Sequence, residues 1–303
     1  MPNSFVATVL RKFGVIAEES EGYLESRSGA GIHPVRTADG QSAFLKLTPA
    51  AQGPDALAAA RRELLFYQRL APSAPVRSPE LLTSADTEDG LAILLAAAGK
   101  PLPVTAWTPG MWAALGLELA ALHGMPLPAD AGPGRPDALR QAMAEPDLPA
   151  IEAFWAPTLP LLAEIVSRRA ELERQSEALP RVFIHGDCHT DNITHSGESL
   201  VLLDWQVSGS GRPVSDLAFL NVRAVPAGVT APPELLDAYL SGCPHDRRTL
   251  ELALLAEELA VFVFQWPPFA AYNNPTGIDR VRQRTRDLSE RWFDARNEAG
   301  GKR

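Results

Sequence analysis

One stretch of the chain, residues 183–217, constrains its fold and chemistry more than any other. Besides short apolar runs, it has three carboxylates and one amide at meaningful spacings, which are Asp187, Asn192, Asp204 and Asp216. The apolar run at residues 200–203 has the length of a buried strand and ends directly at Asp204. Each feature is a weak signal alone, but the four polar residues in this order and at these spacings form a strong one.

The spacing of two of these residues matches a loop that transfers phosphoryl groups. Such a loop in kinases has an Asp that accepts the proton of the attacking hydroxyl and an Asn, five residues later, that helps to hold magnesium. Asp187 and Asn192 keep this spacing, and His185 stands where the kinase His-Arg-Asp triplet has its histidine. Asp204 stands where the kinase Asp-Phe-Gly element supplies a second magnesium ligand.

The full pattern extends beyond this loop. The run His185-Gly-Asp-x-His-x-x-Asn192, followed by Asp204-Trp205 and Asp216-Leu-Ala, resembles the aminoglycoside phosphotransferase and choline-kinase-like family. The resemblance implies that Asp187 is the catalytic base and that Asn192 and Asp204 are metal ligands. It implies a structural role for His185 and Asp216, which would support the catalytic loop.

The same resemblance implies a fold and a set of ligands. The expected fold is α+β, a two-lobed protein-kinase-like architecture with a small antiparallel-sheet N-lobe and a mostly helical C-lobe. The expected cofactors are ATP or GTP together with Mg²⁺, and the expected partner is a small molecule whose hydroxyl accepts the phosphate. A role in antibiotic resistance would follow if that molecule were an aminoglycoside.

Two charged residues in the N-terminal third fit a kinase lobe. Residues 42–47 are predicted to form a strand after an Asp-Gly hairpin turn, and this strand carries Lys46 among apolar neighbours. Residues 54–70 have a helical apolar period, and Glu63 lies beside the apolar stripe. A kinase lysine holds the nucleotide phosphates and a helix glutamate orients it. Each residue alone is explained as well by a solvated charge, but with the downstream motif we predict a Lys46–Glu63 pair.

The loop that should cover the phosphates is the least typical part of the pattern. A kinase phosphate loop uses glycines so that backbone N–H groups approach the phosphates closely. The chain has Gly29 and Gly31 here, but Pro34 stands where a third glycine is expected. We predict that Gly29 and Gly31 contact the nucleotide, although two glycines also suit an ordinary turn.

The predicted elements divide the chain into two lobes. Residues 1–98 are predicted to hold a five-stranded antiparallel sheet with a helix, and residues 99–303 a mostly helical lobe. We expect the nucleotide to lie between them. Further helices are predicted where the apolar period is helical, at residues 1–17, from 109 to about 123, two or three within 138–179, and at 233–240 and 248–266.

Composition and charge exclude several classes of protein. The 303 residues carry a net charge of −9, which argues against nucleic acid as a partner. Two cysteines, Cys188 and Cys243, cannot form a disulfide framework and suggest a reducing, cytoplasmic location. We predict no secretory leader and no membrane segment, because no apolar run is long enough. Oligomeric state stays open.

The charge distribution guides the choice of phosphate acceptor. Residues 1–98 contain 9 basic and 11 acidic residues, so the remaining 19 basic and 26 acidic residues give the second lobe −7. Such a field attracts cations, and we expect an aminoglycoside-like amino sugar. The candidate pocket acids are Asp237, Glu257, Glu258 and Asp279. An acidic solvated surface is the simpler alternative, and choline, other sugars, macrolides and amino alcohols remain possible acceptors.

Two alternatives belong to other functional classes. The Asp187-Cys-His189 run has the Asp-x-His form of two-metal phosphoesterases, to which His185 and Asp191 could add ligands. That hypothesis leaves Asp204-Trp and Asp216-Leu-Ala unexplained, and a zinc site from Cys188, His189, Cys243 and His245 lacks the usual short Cys-x-x-Cys spacing. A non-catalytic pseudokinase is the second alternative, but every expected charged residue is present.

Overall fold

The computed structural model describes residues 3–18, 24–25, 31–127, 137–197 and 199–300. The chain packs as two compact units, the first formed by residues 1–101 with 192–208 and the second by residues 102–191 with 209–303. The segment that carries Asn192 and Asp204 therefore packs with the N-terminal part of the chain. The division into functional lobes at residues 98 and 99 stays a prediction.

The first unit is built on an antiparallel sheet. Its strands in the described residues are Ile16–Ala17, Leu24–Glu25, Gly31–Arg36, Ser42–Pro49, Leu81–Thr87 and Gly90–Ala96. Across the sheet the order is 16–17, 31–36, 42–49, 90–96 and 81–87, and strand 24–25 also pairs with strand 31–36. The described residues thus form six strands rather than the predicted five, because strands of two residues show no alternating pattern in a sequence.

Side-chain alternation in the central strand determines where Lys46 points. Ala43, Leu45 and Leu47 are buried in a core against which the N-terminal helix, Asn3–Phe13, packs. Because successive side chains of a strand point to opposite faces, Lys46 projects from the other face. The helix Pro54–Leu65, extended by one π-helical turn over Phe66–Leu70, supplies Lys46 with its partner there.

A second, three-stranded sheet joins residues 192–208 to the first unit. Its strands are Lys100–Pro101, Ile193–Ser196 and Ser199–Leu202, with Ile193–Ser196 in the middle. Gly99 enters this sheet at φ 71°, and a Cβ there would lie 2.2 Å from the His195 carbonyl oxygen. Only glycine fits this close approach.

The second unit is mostly helical. Its helices are Pro109–His123, Ala138–Ala144, Leu148–Trp155, Leu162–Ser167, Arg169–Ser176, Pro213–Ala224, Pro233–Ser241, Arg247–Ala260 and Pro275–Gly300, and its strands are Val182–Ile184 and Gly209–Gly211. Its core includes Trp155, Phe262 and Trp292, all essentially unexposed. In the described part of the chain, no helix is long and apolar enough to cross a membrane. The predicted α+β architecture, with a sheet-rich N-terminal region and a helical C-terminal region, is confirmed.

Candidate active site

Three predicted residues of the first unit form one buried ionic cluster. The Lys46 ammonium donates to both carboxylate oxygens of Glu63 at 2.7 Å and to Asp204 Oδ1 at 3.0 Å. Lys46 is 9% exposed and Glu63 is 2% exposed. Glu63 lies on the buried face of its helix rather than beside it, one turn from Ala60 and Tyr67. The structure thus brings together residues that are 17 and 158 positions apart in the chain.

The electrostatics of this cluster keep the lysine charged. Burial alone would lower the pKa of Lys46, but the attraction of Glu63 and Asp204 outweighs it and raises the pKa above its ordinary value. One ammonium faces two carboxylates, and burial together with the nearby Asp204 raises the pKa of Glu63 above its ordinary value, although Lys46 acts to lower it. This arrangement favours an additional cation beside Asp204.

Asn192 and Asp204 are suitable ligands for such a cation. Both belong to the first unit, and the Leu203 N–H donates to the Asn192 carbonyl at 2.8 Å, so the two segments lie side by side. Carboxylate and amide oxygens are the donors that Mg²⁺ prefers. Asp204 Oδ1 accepts from the Lys46 ammonium, and Oδ2 accepts from the Gln206 amide at 3.4 Å. Each oxygen retains a further lone pair. The residues therefore fit the implied magnesium ion.

In the second unit, Asp216 supports the loop that begins at His185. Its carboxylate accepts the backbone N–H groups of His185 and Gly186, both at 2.8 Å, and lies 3.1 Å from His123 Nε2. His123 ends its helix and also contacts the Tyr239 hydroxyl at 2.9 Å. Gly186 has φ 83°, which glycine adopts without the strain of a side chain. The loop is therefore held at its beginning by one fully buried carboxylate.

The contacts of Asp216 determine its ionisation. Burial acts to raise the pKa of this carboxyl, but the hydrogen bond from His123, the charges of His123 and His185 and the Gly186 N–H together lower it. A carboxyl whose pKa is lowered by folding stabilises the folded state above its ordinary pKa near 3.8. This stabilisation is lost as the pH falls through the lower folded value.

Asp216→Asn should therefore destabilise the protein mainly at neutral pH. An asparagine has one acceptor oxygen, so one of the two loop N–H groups would face an amide N–H₂ instead of an oxygen. We expect a loss of about 1.5–3 kcal/mol at pH 7, and a smaller difference from wild type in acid, where the native carboxyl also becomes neutral. Urea unfolding of both proteins across acidic and neutral pH measures this. A difference that is constant with pH would contradict the ionised, bracing carboxylate.

Asp187 is part of a series of neighbouring Asp, His and Arg side chains within the second unit. Its N–H donates to His185 Nδ1 at 3.3 Å, and its side chain is 27% exposed. His189 lies between two carboxylates, with Nε2 3.8 Å from Asp187 and Nδ1 3.6 Å from Asp191. Asp191 is in turn bound by Arg223 at 3.0 Å. The sequence suggested His189 only as a metal ligand. Its position two residues after Asp187 was a signal that could have predicted its place beside the Asp187 carboxylate.

The glycine loop is described only in part. Gly29 lies outside the described residues. Gly31 is the first residue of its strand and pairs with Leu47 and Glu25. Pro34 lies within the same strand, where its carbonyl accepts the Glu18 N–H at 2.9 Å. Phosphate contact by Gly29 and Gly31 stays a prediction.

The four acids proposed for a cationic acceptor are each close to an arginine. Asp237 binds Arg247 at 2.7 Å, Glu257 binds Arg212 at 2.9 Å, Glu258 binds Arg284 at 2.7 Å and Asp279 lies 4.0 Å from Arg282. Asp237 and Glu258 line a cavity of about 360 Å³ together with Arg247, Arg284 and Arg291. The net charge of −7 already counts these arginines, but the pairing shows that each of the four acids has a cation of the chain itself beside it.

The phosphoesterase and zinc hypotheses each require a cluster of metal ligands. Among the described residues, no group of three or more His, Cys, Asp or Glu side chains is placed to hold a metal ion. Cys188 is buried and Cys243 is half-buried, and both are free thiols. Burial raises the pKa of the Cys188 thiol, with smaller contributions from Asp216 and Asp187.

Comparison with known proteins assigns the chain to a family. The model of the phosphotransferase enzyme family matches residues 34–252, well over half of the sequence. The chain belongs to this family. The match spans Lys46, Glu63 and the whole run from His185 to Asp216, so the predicted family resemblance is confirmed. No curated protein matches this phosphotransferase in sequence.

Solved structures with the same fold include several kinases. The phosphotransferase is similar to a microcompartment-associated aminopropanol kinase (TM-score 0.65, 12% identity, 97% and 98% of the two chains covered). It is also similar to an amicoumacin kinase bound to AMP-PNP and Ca²⁺ (0.64, 11%, 94% and 93%) and to a macrolide 2'-phosphotransferase from Brachybacterium faecium (0.61, 22%, 94% and 97%). These likenesses show the fold, and the family match makes the chain a small-molecule phosphotransferase, as predicted.

Proposed function

We propose that this phosphotransferase moves the γ-phosphate of ATP to a hydroxyl group of a small molecule. The observation that carries the proposal is the buried Lys46–Glu63–Asp204 cluster. It joins a fixed ammonium to a carboxylate suited to magnesium, which is the combination that phosphoryl transfer requires. A purely structural ion pair would not need the third group, whose backbone is held in a strained conformation.

Each residue then has a defined role. Lys46, oriented by Glu63, steadies the phosphate oxygens. Asn192 and Asp204 hold Mg²⁺, which when bound neutralises phosphate charge. Asp187 orients the acceptor hydroxyl and takes its proton, and Asp216 with His185 holds the loop that carries Asp187. Because the transition state of phosphoryl transfer is loose, positioning and charge neutralisation supply most of the catalysis.

A neighbouring structure and the cysteines guide the choice of nucleotide and location. The amicoumacin kinase of the same fold carries AMP-PNP and Ca²⁺, which supports a nucleotide–metal site here. We propose ATP rather than GTP as the first donor to test, with Mg²⁺ as the metal. The two free cysteines support a reducing, cytoplasmic location.

For the acceptor, we propose an amino-sugar alcohol of the aminoglycoside type. The net charge of −7 in residues 99–303 supports a cationic substrate, whereas the arginine pairing of the four candidate acids counts against it. Similar structures are named for different acceptors, among them aminopropanol and a macrolide. Choline, neutral sugars, macrolides and amino alcohols therefore form the second group of candidates.

An ADP-release screen with magnesium and ATP tests this function. Aminoglycosides, choline, simple sugars, macrolides and amino alcohols are each supplied as acceptor, and the Asp187→Ala variant reports the background rate. We expect acceptor-dependent ADP release with at least one amine. Turnover only with a neutral sugar or macrolide would contradict the cationic acceptor but not the kinase. Magnesium-dependent nucleotide binding without any ADP release would favour a pseudokinase, and hydrolysis of a phosphate ester would favour the phosphoesterase.

A further inference from the structure

A cavity among four helices of the second unit has no part in the proposed phosphoryl transfer. Its volume is about 360 Å³, within the usual range of roughly 300–1,000 Å³ for small-molecule sites. Its described lining comes from the segment 230–232 and the helices Pro213–Ala224, Pro233–Ser241, Arg247–Ala260 and Pro275–Gly300. The family match ends at residue 252, so the last of these helices lies outside it.

The cavity and the catalytic loop lie on different faces of the helix Pro213–Ala224. Leu217 and Asn221 are one helical turn apart, and both line the cavity. Phe219 is rotated by about 200° from Leu217 around the helix axis, and it instead contacts the ring of His189 in the loop, at a centroid distance of 5.9 Å. A ligand in the cavity therefore occupies a place separate from that loop.

The wall of the cavity is largely apolar. Six leucines line it. Among them, Leu217 and Leu288 are 1% and 0% exposed, and Leu236 and Leu254 are half-buried. Burying apolar surface is favourable, whereas a sugar or a nucleotide would lose hydrogen bonds with water against such a wall. The lining therefore favours a ligand with an apolar body.

Three acids and three arginines also line the cavity, so their pairing decides which ligand charge is favoured. Asp237 and Glu251 both bind Arg247, at 2.7 Å and 3.3 Å. The third acid, Glu258, binds Arg284 at 2.7 Å. Each of these acids thus already has a cation of the chain beside it, and a cationic ligand would have to displace an arginine.

Two of the arginines retain donors for an anion. Arg284 uses Nε and Nη2 for Glu258, and of the five N–H donors of a guanidinium the other three have no acceptor among the described residues. In the described part of the chain, the Arg291 guanidinium has no hydrogen-bond or ion-pair partner. Arg284, Leu288 and Arg291 recur at i, i+4 and i+7, so they share one face of the helix. An anionic group at the arginines therefore leaves its apolar body beside Leu288.

We propose that this cavity is a second ligand site, which binds a small organic anion consisting of a carboxylate on an apolar chain. Arg284 and Arg291 bind the carboxylate, and the leucines contact the chain. Glu258, which also accepts the Asn221 amide at 3.2 Å, holds the planar guanidinium of Arg284 in place for the ligand. The inference does not depend on the proposed function, because these residues take no part in phosphoryl transfer.

Calorimetric titration of the full chain with sodium octanoate tests the site. Octylammonium and 1-octanol carry the same apolar chain with a positive charge and with no charge, and acetate carries the carboxylate without the chain. Of these four probes, we expect only octanoate to bind saturably, with one molecule per chain. Octanoate should also raise the melting temperature, because a ligand that binds only the folded state stabilises it.

Three variants test the residues of the site. Arg284→Lys keeps a cation beside Glu258 but replaces the planar fork with a single ammonium, and it should weaken octanoate binding at least tenfold. Arg291→Gln should weaken binding about threefold, because an exposed ion pair contributes less. Leu254→Trp fills the cavity and should abolish binding. Arg248→Gln is the control, since Arg248 is an exposed arginine of the helix Arg247–Ala260 that does not line the cavity, and it should keep the wild-type affinity.

Several results would overturn the inference. Absence of saturable octanoate binding to the wild type would do so, as would equal binding of octylammonium or 1-octanol. Wild-type affinity in folded Leu254→Trp would place octanoate elsewhere on the protein. If Arg284→Lys does not fold, Arg291→Gln decides the role of the arginines, because its side chain is exposed. An equal loss of affinity in Arg248→Gln and Arg291→Gln would show only a general effect of surface charge and would contradict the site.

Discussion

Replacing Asp187 with alanine is expected to lower phosphoryl transfer by about 10²–10⁴-fold, the usual contribution of a general base. Nucleotide binding should remain, because the residues proposed to hold the phosphates and the metal belong to the other unit, residues 1–101 with 192–208. Initial rates of ADP release with a saturating acceptor measure the first effect. Calorimetric titration with magnesium and a nucleotide measures the second.

Substitution of a second, unrelated carboxylate serves as the control for Asp187→Ala. Asp86 is an acidic residue whose carboxylate binds Arg61 at 2.8 Å on an exposed surface, and it has no role in the proposed chemistry. Asp86→Ala should keep wild-type turnover. Undiminished turnover in Asp187→Ala would show that the base assignment is wrong. A loss of nucleotide binding together with turnover would show instead that Asp187 acts on the nucleotide and not on the acceptor.

Structural features that depend on residues adjacent in the sequence were predictable. The Asp-Gly turn before strand Ser42–Pro49 and the capping hydroxyl of Thr108, which accepts the Met111 N–H at 3.3 Å, are local signals. The 26-residue helix Pro275–Gly300 was not predicted. Its charged composition gives only a weak apolar stripe, and tertiary contacts such as the Arg284–Glu258 pair stabilise it.

Motif spacing predicted which residues form the candidate site, but not the contacts that surround them. The ordered motif indicated Lys46 and Glu63 as partners, and the structure places them in contact. It indicated Asp204 only as a metal ligand, so the contact between Lys46 and Asp204 was not predicted. It gave no reason to expect the left-handed backbone of Asp204 or the ring stack of Trp205 on Phe66. Such contacts link positions far apart in the chain, and no local pattern encodes them.

The charge count did not predict which acids are paired within the fold. Net charge made Glu257 one of four candidate acids for a cationic substrate. The residue is 1% exposed, and its carboxylate binds the chain's own Arg212 through Nε at 2.9 Å and Nη2 at 3.0 Å. The Ser215 hydroxyl donates to the same carboxylate at 2.6 Å. Arg212 also binds Asp137, which caps the helix Ala138–Ala144. A count of charges cannot distinguish an acid that awaits a ligand from one already neutralised in the core.

This network predicts a large loss of stability when it is broken on one side. Arg212 is 3% exposed and directly precedes the helix of Asp216, so Glu257→Leu would leave a buried guanidinium with Asp137 as its main partner. We expect a loss of about 3–5 kcal/mol in the free energy of unfolding, measured by urea denaturation. Arg212→Met should cost a similar amount, because it leaves the buried Glu257 carboxylate without its cation. The double variant Arg212→Met/Glu257→Leu removes both charges and should recover much of the loss. Additive losses in the double variant would show that packing, and not an uncompensated charge, governs this part of the second unit.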